Sequence, residues 1–288
     1  MNFQRLTAIT AILCALGAIS QPAQAGTLHK DWNYAIDSFN DGVSGGQVGG
    51  GIFEFYGFAI KESNGKIIVA LNSNLPLSGK SDPLATNGSI SYGDIFFNFT
   101  DQNFKTASDN GDLFAIRFAE ANDSGVATIG VYKNAIGKNV TLTNSGFSSL
   151  DQYNNYVQTA GGTPSMADLA ANDPYFEQTG YGTVLNSIAS GTKIGDINFL
   201  SAAALSEQGL DFGYFGATGS QTVAFSLDKS LLPNGNFIAN FFAECANDGI
   251  AIQGELKSVP EPSSLAGLGA LIGLILIRRK GRKIDLAS

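Results

Sequence analysis

The sequence predicts an all-β fold: a β-sandwich or jelly-roll-like domain carrying a short-helix insertion. Three observations point there. The composition favours turns and aromatic cores, with 35 Gly, 20 Phe and 9 Tyr. Short apolar runs recur at close spacing, separated by clusters of Gly, Asn, Asp and Ser. Several runs alternate, so that Phe114, Ile116 and Phe118 share one strand face while Arg117 points to the other.

Taken in chain order, strands are expected at 52–60, 66–71, 94–100, 113–119, 126–132, 139–143, 222–227, 237–245 and 250–256. Asn64-Gly65 joins the first two as a tight hairpin requiring positive φ. Asn122-Asp123-Ser124-Gly125 and Asn247-Asp248-Gly249 supply similar turns, and Asn234-Gly235 precedes another strand. Residues 148–210 read as the partly helical insertion. Ser148 or Ser149 caps a helix at 148–158, with further helices at 164–171 and 199–207 and a hinge at Gly161-Gly162-Thr163-Pro164.

The two ends have a different character from this body. Arg5 precedes an apolar run from Leu6 to Ile19, then Gln21-Pro22, then Ala23-Gln24-Ala25. This order makes 1–25 a signal peptide with an N-terminal signal helix, exported through the Sec route and cut by signal peptidase between Ala25 and Gly26. The run is short for a membrane span of about 20 residues. At the other end, 259–288, Val259-Pro260-Glu261-Pro262 is followed by an uncharged membrane helix at 265–277 and by the basic cluster beginning at Arg278-Arg279. The prolines hold Glu261 in an extended, accessible stretch, and the cations keep the C-terminus cytoplasmic.

Pro-Glu-Pro, an apolar helix and an Arg-rich end, in that order, resemble the PEP-CTERM sorting signal of exosortase systems. The resemblance covers about the last 30 residues. It implies that a membrane-embedded exosortase recognises Pro260-Glu261-Pro262 and removes the tail. An ordinary membrane anchor behind a Pro-rich stalk would use the same residues, and the two differ in whether the helix persists. Trp32-Asn33-Tyr34-Ala35-Ile36-Asp37 and Glu244-Cys245-Ala246-Asn247-Asp248 also resemble a group of cyanobacterial exosortase-dependent surface proteins, which implies cyanobacterial origin and no assigned activity.

Charge narrows the partners. Without the two ends, residues 26–258 hold 11 basic and 23 acidic side chains, a net charge near −12. Such a body repels nucleic acid and anionic membrane, and attracts cations. Cys245 is the only cysteine left after signal removal, so no internal disulfide forms. His29 is the only histidine, too close to the new N-terminus to anchor a Ser-His-Asp site and insufficient for a zinc centre. The glycines at 45–51 lack the Lys-Ser/Thr of a phosphate loop.

Acids and amides gather in four places: Asp109-Asn110-Gly111-Asp112; Asp37, Asn40 and Asp41; Glu120, Asn122 and Asp123; and Glu244, Asn247 and Asp248. The third and fourth sit in similar segments, Phe118 to Asp123 and Phe242 to Asp248. They read as two similar hairpins or as an ancient duplication. Asp and Asn build turns through their own side chains, which accounts for such clusters without a ligand. Calcium is the cofactor they would serve, with Asp109 and Asp112 as the named ligands, although no cluster has EF-hand spacing. The expected function is that of a non-enzymatic, exosortase-sorted surface or extracellular-matrix protein, associated with polysaccharide. The alternatives are a calcium-stabilised carbohydrate-binding module and a glycan hydrolase with two acids facing one cleft.

Overall fold

The computed structural model describes residues 26–257. The signal segment up to Ala25 and the tail from 258, with both expected helices, lie outside the described residues. In chain order the elements are β1 (Thr27–His29), β2 (Trp32–Ile36), the short arms β3 (Val43–Ser44) and β4 (Gln47–Val48), β5 (Phe55–Ser63), β6 (Lys66–Ser73), the short arms β7 (Lys80–Ser81) and β8 (Ser89–Ile90), and β9 (Ile95–Asn98). Next come α1 (Phe104–Asn110), β10 (Leu113–Arg117), β11 (Gly130–Lys138), α2 (Leu150–Thr159), β12 (Ser187–Gly195), β13 (Asn198–Phe199) and α3 (Ala202–Glu207). The chain ends with β14 (Gln221–Asp228), β15 (Gly235–Phe242) and β16 (Gly249–Leu256).

Two six-stranded sheets organise these elements, in the orders β1-β2-β5-β6-β14-β13 and β12-β11-β10-β9-β15-β16. Their strand pairs are antiparallel, as short turn-linked strands require. One aromatic core joins them. Phe58 meets Phe241 edge-on at 5.4 Å, Phe55 lies 4.9 Å from Phe241, and Phe118 stacks on Phe225 at 5.6 Å. The outer faces are covered as well. Phe104, Tyr153 and Val157 from the helices pack with Phe96, Ala115 and Tyr132 of the second sheet, and Leu205 and Phe212 cover Trp32, Tyr34 and Ile68 of the first. The central strands are therefore buried on both sides, so β6 reads as a continuous apolar run rather than an alternation.

The Asn64-Gly65 hairpin forms as expected, with φ of 50° and 72° at its two turn residues and Ser63 facing Lys66. Ser149 caps α2, and α3 occupies the second half of the expected helix at 199–207. Three expectations fail. Residues 139–143 form no strand and Thr141–Thr143 make a 3₁₀ turn, because Thr141 and Thr143 hydroxyls and the Asn144 amide bond to Asn139 and Val140 instead of leaving that backbone to a ladder. Residues 164–171 form no helix: the Ser165 and Ala167 amides donate to carboxylates elsewhere in the chain, and Ala167 has φ 56°. Val126 to Ile129 precede the ladder, and β11 begins only at Gly130. Among the elements not foreseen are β1, β2, α1 and β12, besides the two-residue strands β3, β4, β7, β8 and β13. Of these, β12 pairs with β11 and so builds part of the 148–210 segment into a sheet.

Candidate functional site

Two acidic clusters that lie over 200 residues apart in sequence meet in the fold. Asp37 follows β2, Asp41 sits in the next loop, and Asp248 immediately precedes β16. One carboxylate oxygen from each lies within 4.8 Å of the others, and all three side chains are buried. Glu54, directly before β5, joins them and is fully buried.

Each acid is gripped by backbone. Asp37 Oδ1 accepts from the Ala167 amide at 3.2 Å and Asp41 Oδ2 from Ser165 at 2.8 Å. Glu54 Oε2 accepts from Gly42 at 3.1 Å and Gly50 at 2.8 Å, and Asp248 Oδ2 from Phe55 at 2.7 Å. Gly42 is a glycine because the loop touches Glu54: a Cβ there would stand 2.6 Å from the Glu54 Cα. Tyr153, delivered by α2, donates its hydroxyl toward the Asp41 carbonyl at 3.2 Å and Asp248 Oδ1 at 3.4 Å. Asp37 Oδ2, Asp41 Oδ1 and Glu54 Oε1 are buried with no hydrogen-bond partner. Burial raises the pKa of all four acids, and for Asp37, Asp41 and Asp248 the neighbouring carboxylates raise it further.

A second buried acidic knot is of another kind. Glu244 accepts from the Ser91 amide at 2.7 Å with one oxygen and from the Asp123 amide with the other. Asp94 accepts from Asn122 at 2.7 Å and from the Ile188 amide at 2.7 Å. Arg117 closes the knot through Asn122 Oδ1 at 3.1 Å and the Glu120 carbonyl at 3.0 Å. The two similar segments thus contact each other through Glu244 and Asp123. Every carboxylate oxygen of Asp94 and Glu244 has a donor, so this knot is a structural joint.

A cleft of about 890 Å³ opens at one end of the second sheet, where β9 leaves, β15 enters and β16 ends. Half-buried Phe99 gives it aromatic surface, the largely buried Tyr175 and Phe237 also line it, and Gln102, Asn236 and Gln253 give it amides. Asp101 and Glu255 also line it, both exposed. Phe99 is set by Phe237 and Phe114, each at 5.8 Å. Asn98 shapes the rim, its side chain accepting from the Thr100 amide at 2.9 Å and donating to the Gln102 carbonyl at 2.9 Å.

The remaining predicted residues fall as follows. Asp109 pairs with Lys105 at 2.7 Å on the exposed side of α1, and Asp112 accepts from Gln102 at 3.1 Å. Gly111 between them has φ 70° and ends α1. The fold gives each carboxylate its own partner. His29 is paired in β1 rather than lying in a loose end, 3.6 Å from Asp211 and stacked on Tyr214 at 4.0 Å. Gly26 is the first described residue. Ala23, Ala25, Val259, Pro260, Glu261, Pro262, Arg278 and Arg279 lie outside the described residues. Sequence reasoning missed Glu54, whose only signal was a lone acid inside the apolar run 52–60.

Among the described residues no helix is long and apolar enough to cross a membrane. No curated protein and no solved structure matches this chain. Residues 258–280 match the PEP-CTERM protein-sorting motif, spanning Pro260-Glu261-Pro262, the apolar run and Arg278-Arg279. The chain is thus one that carries a PEP-CTERM sorting motif, a signal for exosortase-dependent export to the cell surface with its C-terminus anchored in the membrane before processing.

Proposed function

We propose that the body between the two ends is a non-enzymatic surface module that associates with extracellular polysaccharide through the cleft bounded by β9, β15 and β16. The sorting motif carries the placement. The cleft supports the ligand class, because aromatic faces stack on sugar rings while amides bond to hydroxyls. The acidic body suits a neutral or cation-bridged glycan better than a polyanion. Co-sedimentation of the surface-released protein with exopolysaccharide from the same cells tests this. The wild type is expected in the pellet, and Asn236→Ala combined with Asp101→Ala in the supernatant with an unchanged melting temperature. Equal retention of both proteins, or of neither, would remove the cleft from the account.

A second reading is favoured by one observation. Asp101 and Glu255 face the same cleft, as a glycan hydrolase requires. Reducing ends that accumulate with wild-type protein and disappear in Glu255→Gln would select it over the binding module.

A further inference from the structure

We propose that Asp37, Asp41, Glu54 and Asp248 form a buried binding site for a divalent, oxygen-preferring cation, calcium above all. Two independent observations carry this. The first is convergence: three separate pieces of chain bring carboxylates together, with oxygens of Asp37, Asp41 and Asp248 within 4.8 Å of one another and the Glu54 charge close enough to raise the pKa of all three. Oxygens around one calcium, at 2.3–2.6 Å from the ion, lie no more than about 5 Å apart. The second is the division of labour on each acid. Backbone amides hold one oxygen of Asp37, Asp41 and Glu54, and the other oxygen of each is buried without a donor. Such acceptors are costly unless something positive meets them.

No positive side chain among the described residues does so: no Lys, Arg or His there forms an ion pair with any of the four acids. Tyr153 donates to the Asp41 carbonyl and one oxygen of Asp248, and its hydroxyl and that of Ser165 also stand near the Asp41 and Asp37 carboxyls without completing a hydrogen bond to the three open oxygens. The Asp94–Glu244 knot shows how this chain completes a buried acid without an ion, with amide donors on every oxygen and Arg117 alongside. The quartet departs from that pattern at three oxygens. Its donors are all oxygens, which suits a hard cation and disfavours zinc or copper. The Asp41 carbonyl, within reach of Tyr153, is a further oxygen on the spot. A cation here would tie the end of β2, the start of β5, the start of β16 and, through Ser165 and Ala167, the loop that fails to become a helix.

This inference is independent of the glycan reading, since the quartet does not line the cleft. The test uses the full chain purified in detergent and stripped with chelator. Calcium is added while melting temperature and calorimetric heat are followed, with terbium luminescence excited through tyrosine as a second readout. The proposal expects a melting temperature that rises with calcium. It also expects saturable binding at about one ion per chain, and a terbium signal that calcium displaces. Asp41→Asn should weaken binding at least about tenfold by removing a ligand charge, while Asp109→Asn with Asp112→Asn should leave it unchanged. If Asp41→Asn does not fold, the wild-type terbium signal and its displacement by calcium still decide. Absence of heat, melting shift and luminescence in the wild type would overturn the site, leaving an acid cluster that shares protons. Calcium binding abolished by the Asp109/Asp112 pair and retained in Asp41→Asn would overturn it too.

Discussion

Glu244 illustrates how one residue can set a pH response. It is fully buried, both its oxygens accept from backbone amides, and burial pushes its pKa up to about 8. The charges of Asp123 and Asp94 push in the same direction. Asp168, which accepts from the Gln253 amide at 2.9 Å, is raised by burial to about 7. An unfolded Glu titrates near about 4.3, so between those values the folded chain holds protons that the unfolded chain has lost. The contribution is fully present below the unfolded pKa and disappears as pH rises through about 8 for Glu244. The melting temperature is therefore expected to fall from pH 5 to pH 8, and thermal melts should show a shallower fall in Glu244→Gln. An identical slope in both proteins would mean that Glu244 is not the source.

At the scale of elements, α2 is the piece whose loss would travel furthest. Ser149 accepts from the Gln152 amide at 3.2 Å and fixes its start. Tyr153 and Val157 then face inward, Tyr153 onto the buried acids. Ser149→Ala should cost about 1 kcal/mol of stability, read as a lower urea midpoint with an unchanged slope. This helix was legible because its cap and its unbroken run are local features. The Asn64-Gly65 hairpin was legible for the same reason. What was not legible depends on distant partners. The backbone at 164–171 has helix-forming residues after Pro164, yet its amides are drawn to Asp37 and Asp41, which the local pattern cannot reveal. β12 carries Ser, Gly, Thr and Lys and buries only its first two residues, so it has little apolar signal; β11 alone makes it a strand. The acid quartet was half visible. Asp37 with Asp41, and Glu244 with Asp248, stood out as separate clusters, but the sequence did not say that Asp248 leaves Glu244 for the other pair.

For the whole molecule, the ends decide where this compact acidic body goes. Intact mass of the surface fraction should show both ends removed, with the C-terminal cut abolished when Pro260, Glu261 and Pro262 are all replaced by Ala. A wild-type mass retaining 265–288 would mean that the apolar run stays as a permanent anchor. The last described residue also constrains how that cut happens. The Lys257 amide donates to Glu62 Oε1 at 2.8 Å, directly after β16, and the sorting motif begins at residue 258. At no more than about 3.6 Å per residue, the chain from Lys257 to Pro260 reaches only about 10 Å. A processing enzyme that reads Pro260 therefore works within about a nanometre of the Lys257–Glu62 contact.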